Sequence, residues 1–348
     1  GICTLQNPLP YLRSPGPGSP AAFMAPKNFN GLFQDSVMGA GDPYWYHTQW
    51  QSPTEVQAAN WDPFGGPGCV TGFPNSLGMG AFAWGVGNNH ASACWGEAPA
   101  GTPGYMVQLF GNGHGASSTL PCGHELDVFL APTAANYAGS VEPMGLDYGI
   151  IQDPPPLSAH ISLNFSFDAL VSYASVGVSC SAGQPNAPCG SHGGVDYGGV
   201  VASLIAHNHT AGQVLFYQIY LYDTRQAGQA ALNGCGGPDP GQDNTYWFDP
   251  GSTPFPGSVW YGVTDHIANY GMPRLDIDQA VSYTLNVLPA LAQSITEGPS
   301  SPNTAVPALD SNLSHWQVTE LYVGTMLQGN AELVSVFSAI DLVGQGYW

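Results

Sequence analysis

The sequence predicts an all-β protein: an antiparallel β-sandwich of the jelly-roll type, with long Gly/Pro-rich loops and one short helix. The 348 residues include 46 Gly and 31 Pro, which interrupt the chain too often for long helices. Several segments alternate apolar and polar residues with a period of two, which is typical of half-buried antiparallel strands. Hydrophobic residues make up 43% of the chain, enough for a sizeable core.

The clearest strand is "ISLNFSFDALVSY", residues 161–173, whose apolar positions alternate with Ser, Asn and Asp. Its predicted core-facing residues are Ile161, Leu163, Phe165, Phe167, Ala169 and Val171. Further strands are predicted in "HELDVFL", "GGVVASLIAH", "VLFYQIYLYD", "SYTLNV", "HWQVTELYVGTML" and "AELVSVFSAIDLV". The segment "LPALAQSITEG" predicts the short helix, with Pro289 in its first turn and Gly298 after its end.

Composition divides the chain into three regions. Residues 1–30 form a Pro-rich N-terminal arm, residues 31–150 a Gly- and aromatic-rich β region, and residues 151–348 a second β region. The two β regions are expected to belong to one sandwich or to two tightly packed ones. The arm is either a loose terminus or a segment that adds to the sheet edge of a neighbouring subunit.

The charge balance restricts the partners. The chain has 24 acidic residues against four basic ones, for a net charge of -20. Nucleic acids are excluded, because phosphate contacts need clustered Lys and Arg. Anionic polysaccharides and acidic membrane surfaces would be repelled. No run of eighteen apolar residues predicts a membrane-spanning segment, so we expect no membrane insertion.

None of the seven cysteines forms a C-x-x-C pair, which disfavours zinc ribbons and thioredoxin-like redox sites. With so many turns and so few charges in the chain, the cysteines predict a disulfide framework in an extracellular protein. Cys180 and Cys189 are the predicted pair, since they would close the short loop "CSAGQPNAPC". An odd count leaves one thiol free or paired outside the chain.

A β-hairpin is predicted where "NHTAGQ", residues 208–213, separates two apolar runs. The pair His207 and His209 resembles the His-x-His of metal-binding cupins, but the position four residues on is Gln213 instead of Glu. We therefore expect a solvated hairpin tip that holds no metal. Three sequons make Asn164, Asn208 and Asn312 candidate glycosylation sites, although chance alone predicts a similar number.

The segment "HELDVFL" is the most enzyme-like part of the sequence. Glu125 and Asp127 would share one strand face about 7 Å apart, close enough to perturb each other's pKa. The pattern partly resembles the catalytic strand of laminarinase- and lichenase-like glucanases, themselves jelly rolls. That resemblance implies a nucleophile at Glu125, but it places the acid/base at Phe129 or Leu130, which cannot donate a proton. The alternative is an ordinary polar strand face.

A loop rich in acidic residues, "PDPGQDNTYWFDPG", supplies oxygen ligands of the kind that Ca²⁺ prefers. The candidate ligands are Asp239, Asp243, Asn244 and Asp249. The loop lacks the spacing of an EF-hand, and the alternative is an Asp/Gly/Pro turn.

Clusters of uncharged aromatic residues indicate neutral sugar binding, because sugar rings stack on aromatic faces while amides bind hydroxyl groups. The candidate glycan-binding residues are Trp45, Trp50, Gln218, Tyr220, Tyr222, Trp247 and Trp260. On the strand "VLFYQIYLY", Gln218, Tyr220 and Tyr222 are expected to share a face.

Together these patterns predict a secreted, disulfide-bearing β-sandwich that binds neutral glycan or assembles in an extracellular matrix. The alternatives are a self-assembling filament or surface subunit, whose partners are identical chains, and a glycoside hydrolase that uses Glu125 and Asp127. We expect binding without catalysis.

Overall fold

The computed structural model describes fourteen segments, and its strands form two sheets. These segments are residues 9–11, 23–29, 33–35, 45–50, 82–87, 91–97, 105–112, 125–132, 154–176, 197–225, 245–249, 259–298, 308–328 and 331–347. All structural statements below concern these residues.

The larger sheet has nine strands. In spatial order they are β12 (Thr245–Asp249), β13 (Val259–His266), β11 (Gln213–Asp223), β10 (Tyr197–Asn208), β15 (Trp316–Gln328), β8 (Glu125–Pro132), β4 (Trp45–Trp50), β2 (Phe23–Phe29) and β3 (Phe33–Asp35). Neighbouring strands are antiparallel except for two parallel pairs, β11 with β13 and β2 with β4.

The smaller sheet has seven strands. They are β14 (Val281–Asn286), β9 (His160–Val176), β16 (Ala331–Gly346), β7 (Tyr105–Asn112), β6 (Ala91–Glu97) and β5 (Phe82–Gly87), with β1 (Leu9–Pro10) also paired to β16. From β7 to β10, and again from β14 to β16, the chain alternates between the two sheets. This crossing confirms the predicted jelly-roll sandwich, and each sheet takes strands from both predicted β regions.

The predicted hairpin is confirmed, with β10 and β11 joined by residues 209–212. The predicted helix is also confirmed as α1 (Leu288–Glu297), with Pro in its first turn and Gly298 at its C-cap. Gly suits that cap, because its φ of 62° lies in the left-handed region. Within the described segments, no helix has both the length and the apolarity that crossing a bilayer requires.

The core lies between the two sheets and is built by the alternation of β9. Leu163, Phe165 and Phe167 are each at most 1% exposed, as their spacing predicts. The prediction for Ile161 is wrong, because its side chain is 49% exposed. A register shift against β16 at the start of β9 leaves Ile161 without a paired residue, and the preceding His160 is buried instead.

The described part of the N-terminal arm belongs to the sandwich of its own chain. Leu9 and Pro10 pair with β16, beyond the stretch of β16 that β7 covers. The next residue, Tyr11, is completely buried, and its hydroxyl lies 2.7 Å from Nε2 of His160. The Tyr11 backbone N–H also donates to the carbonyl of Leu342. The loose-terminus interpretation is therefore wrong for residues 9–11, and addition of the arm to a neighbouring subunit stays a prediction.

Gly344 permits this packing, because a β-carbon there would lie 3.0 Å from the Tyr11 ring and 3.1 Å from His160. We expect Gly344→Ala to lower the free energy of unfolding by about 2 kcal/mol through overcrowding. Urea unfolding measures the effect, and Tyr11→Ala supplies the second arm of a double-mutant cycle. If the crowding is against Tyr11, Gly344→Ala costs less in the Tyr11→Ala background. Equal costs in both backgrounds contradict this explanation.

Candidate functional site

The nine-stranded sheet has a second, largely polar face, which we call the outer face because it points away from the seven-stranded sheet. On β11, Leu215, Tyr217 and Ile219 join the core between the sheets, and the intervening side chains point the other way. The described side chains of the outer face include Ser203, Ile205, His207, Phe216, Gln218, Tyr220, Glu320, Tyr322 and Met326.

Strand register brings most of the predicted glycan-binding positions to the outer face, because directly paired residues share a face. Position 260 pairs with Val214, and position 247 pairs with Gly262. Trp50 pairs with Asp127, which in turn pairs with Met326. Trp45 lies an odd number of residues from Trp50, so strand alternation assigns position 45 to the opposite face.

Tyr222 departs from the expected alternation. Between Val200 and Val201 the register of β10 against β11 shifts, which places an extra residue, Leu221, in β11. After this bulge, Tyr222 packs against the core cluster and lies beneath the guanidinium of Arg274, at 5.4 Å. Gln218 and Tyr220 share the outer face as expected, but Tyr222 does not.

The outer face carries its own network of contacts. Nε2 of Gln218 donates to the hydroxyl of Tyr322 at 2.8 Å, and the Tyr322 ring lies 6.1 Å from that of Phe216. Gln218 and Tyr322 keep 5% and 7% of their surface exposed, whereas Leu215 and Ile219 on the core side keep none. Small parts of the Gln218 and Tyr322 side chains therefore remain accessible to solvent.

Glu320 is a site residue that the sequence analysis missed. It is 5% exposed and pairs with Ile205, and a bulge at Thr319 precedes it. Burial raises the pKa of its carboxyl to about 8, so the carboxyl is protonated at neutral pH. The available signal was that Glu320 is the only acidic residue in "HWQVTELYVGTML"; acidic residues are rarely buried inside strands.

His207 lies beside Glu320, with 3.8 Å between its Nε2 and the carboxyl Oε1. Burial, followed by the neighbouring His209, lowers the pKa of His207 to about 3. The two groups are therefore both uncharged at neutral pH, and they form no ion pair. The prediction of a solvated hairpin tip is wrong for His207, which is 3% exposed, because it lies within β10 and precedes the turn.

The predicted carboxylate pair lies far from Glu320. Asp127 is opposite Met326, and Glu125 is opposite Gln328, at the other end of β15. Six residues separate positions 320 and 326, which corresponds to roughly 20 Å along a strand. Paired glycosidase carboxyls are about 5 to 9.5 Å apart. Glu320 therefore cannot complete a catalytic pair with Asp127. The side chains of Glu125 and Asp127 lie outside the described residues.

The outer face offers no unneutralised cation among its described residues. The guanidinium of Arg225 is buried and forms hydrogen bonds of 3.0 Å and 2.6 Å with the carboxylate of Asp223. It also lies 4.0 Å above the ring of Tyr197. Arg225 is therefore a paired structural cation.

Asn208 is not a glycan acceptor in the folded protein. It is 1% exposed, its amide donates to Asp310 at 2.9 Å, and its side-chain oxygen accepts the N–H of Ala211. Asn312 is exposed, and its side-chain oxygen accepts the N–H of Ser314. Asn164 is half-buried. Glycosylation at the latter two sites stays a prediction.

The remaining predicted sites lie outside the described side chains. These are the disulfide Cys180–Cys189 and the calcium ligands Asp239, Asp243, Asn244 and Asp249. In the segments that the structure describes, no three His, Cys, Asp or Glu side chains are placed to hold a metal ion. The calcium and disulfide predictions are untested.

No protein-family model matches the sequence, and no curated protein matches it. Among solved structures, the chain is similar to the family 11 xylanase from Neocallimastix patriciarum, with 9% identity over 77% of this chain and 98% of that chain, and a TM-score of 0.34. It is similar to the xyloglucanase domain of NopAA from Sinorhizobium fredii, solved with cellobiose, with 9% identity over 76% and 97% and a TM-score of 0.34. It is also similar to Endoglucanase 3 of family GH12 from Trichoderma harzianum, with 9% identity over 75% and 84% and a TM-score of 0.32. At such identities and scores, these likenesses do not bear on function.

Proposed function

We propose that this protein binds neutral glycan on the outer face of the nine-stranded sheet. The observation that carries the proposal is the collection of amide and aromatic side chains on a single face of the sheet, on which Gln218 and Tyr322 keep a small exposed surface. Gln218 and Tyr220 lie on that face, and the register assigns positions 50, 247 and 260 to it. Sugar rings stack on aromatic faces, and amides bind their hydroxyl groups.

The charge state of the outer face favours an uncharged ligand. Glu320 and His207 are neutral at neutral pH, and Arg225 is already paired with Asp223. An anionic sugar would find no available cation among the described residues of this face, and the net charge of -20 would repel it. A neutral polysaccharide needs no cation on the protein, and the net negative charge does not repel it.

The proposal includes an extracellular location and a disulfide between Cys180 and Cys189, both of which fit a secreted glycan-binding protein. Mass mapping without reduction is expected to find the two cysteines linked. Finding both as free thiols in freshly secreted protein would contradict this part of the proposal.

Catalysis is the alternative use of the same face. Because Asp127 lies on the outer face by register, Glu125 and Asp127 could act on a bound glycan. We nevertheless propose binding without turnover, because the glucanase-like strand lacks its acid/base and Glu320 lies too far away to supply it. A panel of neutral β-glucans and xylans tests this directly. If the wild type hydrolyses one of these substrates and Glu125→Gln abolishes the activity, the protein is an enzyme and the proposal of binding without turnover is wrong.

Binding is tested with cellohexaose, xylohexaose and laminarihexaose by isothermal titration calorimetry. We expect at least one to bind the wild type, and we expect Gln218→Ala to weaken that binding about tenfold, because it removes hydrogen bonds to the ligand and to Tyr322. Tyr222→Phe is the matched control, since the bulge removes Tyr222 from the outer face. Equal affinity of Gln218→Ala and the control would contradict the proposed site.

A further inference from the structure

Two polar atoms on adjacent strands of the outer face are buried without a hydrogen-bond partner among the described residues. They are Oε1 of Glu320 and Oγ of Ser203. Ser203 pairs with Tyr322, and Ile205 pairs with Glu320, so positions 203 and 320 are diagonal neighbours about 7 Å apart. Buried polar atoms in native proteins nearly always have a partner, which a ligand or an ordered water supplies when the protein does not.

We propose that Glu320 and Ser203 form a hydroxyl-binding position of the outer face, where the Glu320 carboxyl contacts a sugar hydroxyl group of the bound glycan. The inference rests on the proposed function and specifies one point of contact within that site. An ordered water is the competing occupant of the same position.

The neighbours of this position suit a sugar. Ser203 pairs with Gln218 on one side and with Tyr322 on the other, so it lies beside the hydrogen bond that joins these two side chains. The rings of Phe216 and Tyr322 lie 6.1 Å apart on the same face and offer apolar surface next to the polar atoms. Apolar surface beside a few placed polar groups is typical of small-molecule sites.

The protonation state of Glu320 suits a hydroxyl ligand as well. A protonated carboxyl both donates and accepts hydrogen bonds, as a sugar hydroxyl does. His207 leaves Oε1 available, because a separation of 3.8 Å from its Nε2 is too long for a hydrogen bond. Burial keeps the carboxyl protonated, since it raises the pKa of Glu320 to about 8.

The proposal predicts opposite effects of one substitution on binding and on stability. Glu320→Leu removes the contact to the ligand, so we expect about tenfold weaker binding of the hexasaccharide that the wild type prefers. The same change replaces an unpartnered buried carboxyl with an apolar side chain, so we expect the melting temperature at pH 8 to rise by about 5 °C. Glu320→Gln retains hydrogen-bonding capacity and is expected to lose no more than about threefold in affinity.

Asp341→Asn is the matched control, because it also removes a carboxyl of raised pKa but lies on the seven-stranded sheet. Its affinity should equal that of the wild type. A fall in the melting temperature of Glu320→Leu would overturn the proposal, because the carboxyl would then hold structural hydrogen bonds. If the wild type binds a hexasaccharide and Glu320→Leu binds it equally well, the proposed hydroxyl-binding position is overturned but the glycan function is not. If the wild type binds none of the hexasaccharides, both the proposed glycan function and the proposed hydroxyl-binding position are overturned.

Discussion

Replacing Phe167 with Ala is expected to lower the free energy of unfolding by about 4 kcal/mol, measured by urea denaturation. Phe167 is 1% exposed, and its ring lies 5.0 Å from Phe165, 5.3 Å from Tyr283 and 6.2 Å from Phe337. These neighbours come from three strands of the seven-stranded sheet, so the cavity left by the ring cannot be closed by one local movement. The loss therefore combines the transfer energy of the ring with the energy of the cavity.

Ile161→Ala, on the same strand, is the control for this effect. Because Ile161 is 49% exposed, we expect a change within about 0.5 kcal/mol. If Phe167→Ala and Ile161→Ala lower the free energy of unfolding equally, Ile161 is buried, and this would contradict the bulge at the start of β9.

Glu320→Gln is expected to stabilise the protein at pH 8 by on the order of 3 kcal/mol and to have little effect near pH 4. Burial raises the pKa of Glu320 from 4.5 to about 8, so folding favours the protonated form. Its contribution to stability is complete below pH 4.5 and is lost as the pH rises toward 8. A glutamine cannot ionise and avoids that loss.

Thermal unfolding of both proteins between pH 4 and pH 9 measures the difference. Subtracting the two curves isolates Glu320 from the other titrating groups. His207 acts in the opposite direction: its pKa falls from 6.5 to about 3, so its contribution is lost on acidification. A difference curve that stays flat up to pH 9 would show that Glu320 ionises as freely as an exposed carboxyl.

Much of the fold could be predicted from the sequence, because it follows from local patterns. The period-two alternation of β9, the turn residues between β10 and β11, and the Pro and Gly that bound α1 each act within a few residues. Which strands would pair, and that Leu9 and Pro10 would join β16, depends on contacts between distant parts of the chain. A single sequence contains no direct signal for such pairings.

The incorrect assignments of Ile161 and Tyr222 share a cause, which is the β-bulge. An extra residue reverses the alternation beyond it, so Ile161 became exposed and Tyr222 moved to the core side. A bulge at Thr319 also directly precedes the buried Glu320, which the sequence analysis missed. Bulges depend on how two strands pair, so the pattern of one strand does not reveal them. Burial by the whole fold also determined the state of His207 and Asn208, whose sequence context indicates an exposed turn.

Hydrogen–deuterium exchange with and without the tightest-binding neutral hexasaccharide tests most directly the claim that the outer face binds glycan. The claim predicts slower exchange, on adding the sugar, in peptides that cover β10, β11 and β15. Peptides from β9, β14 and β16 of the seven-stranded sheet should be unchanged. Slower exchange confined to the seven-stranded sheet, or no change in any peptide at a saturating concentration of the sugar, would contradict the claim.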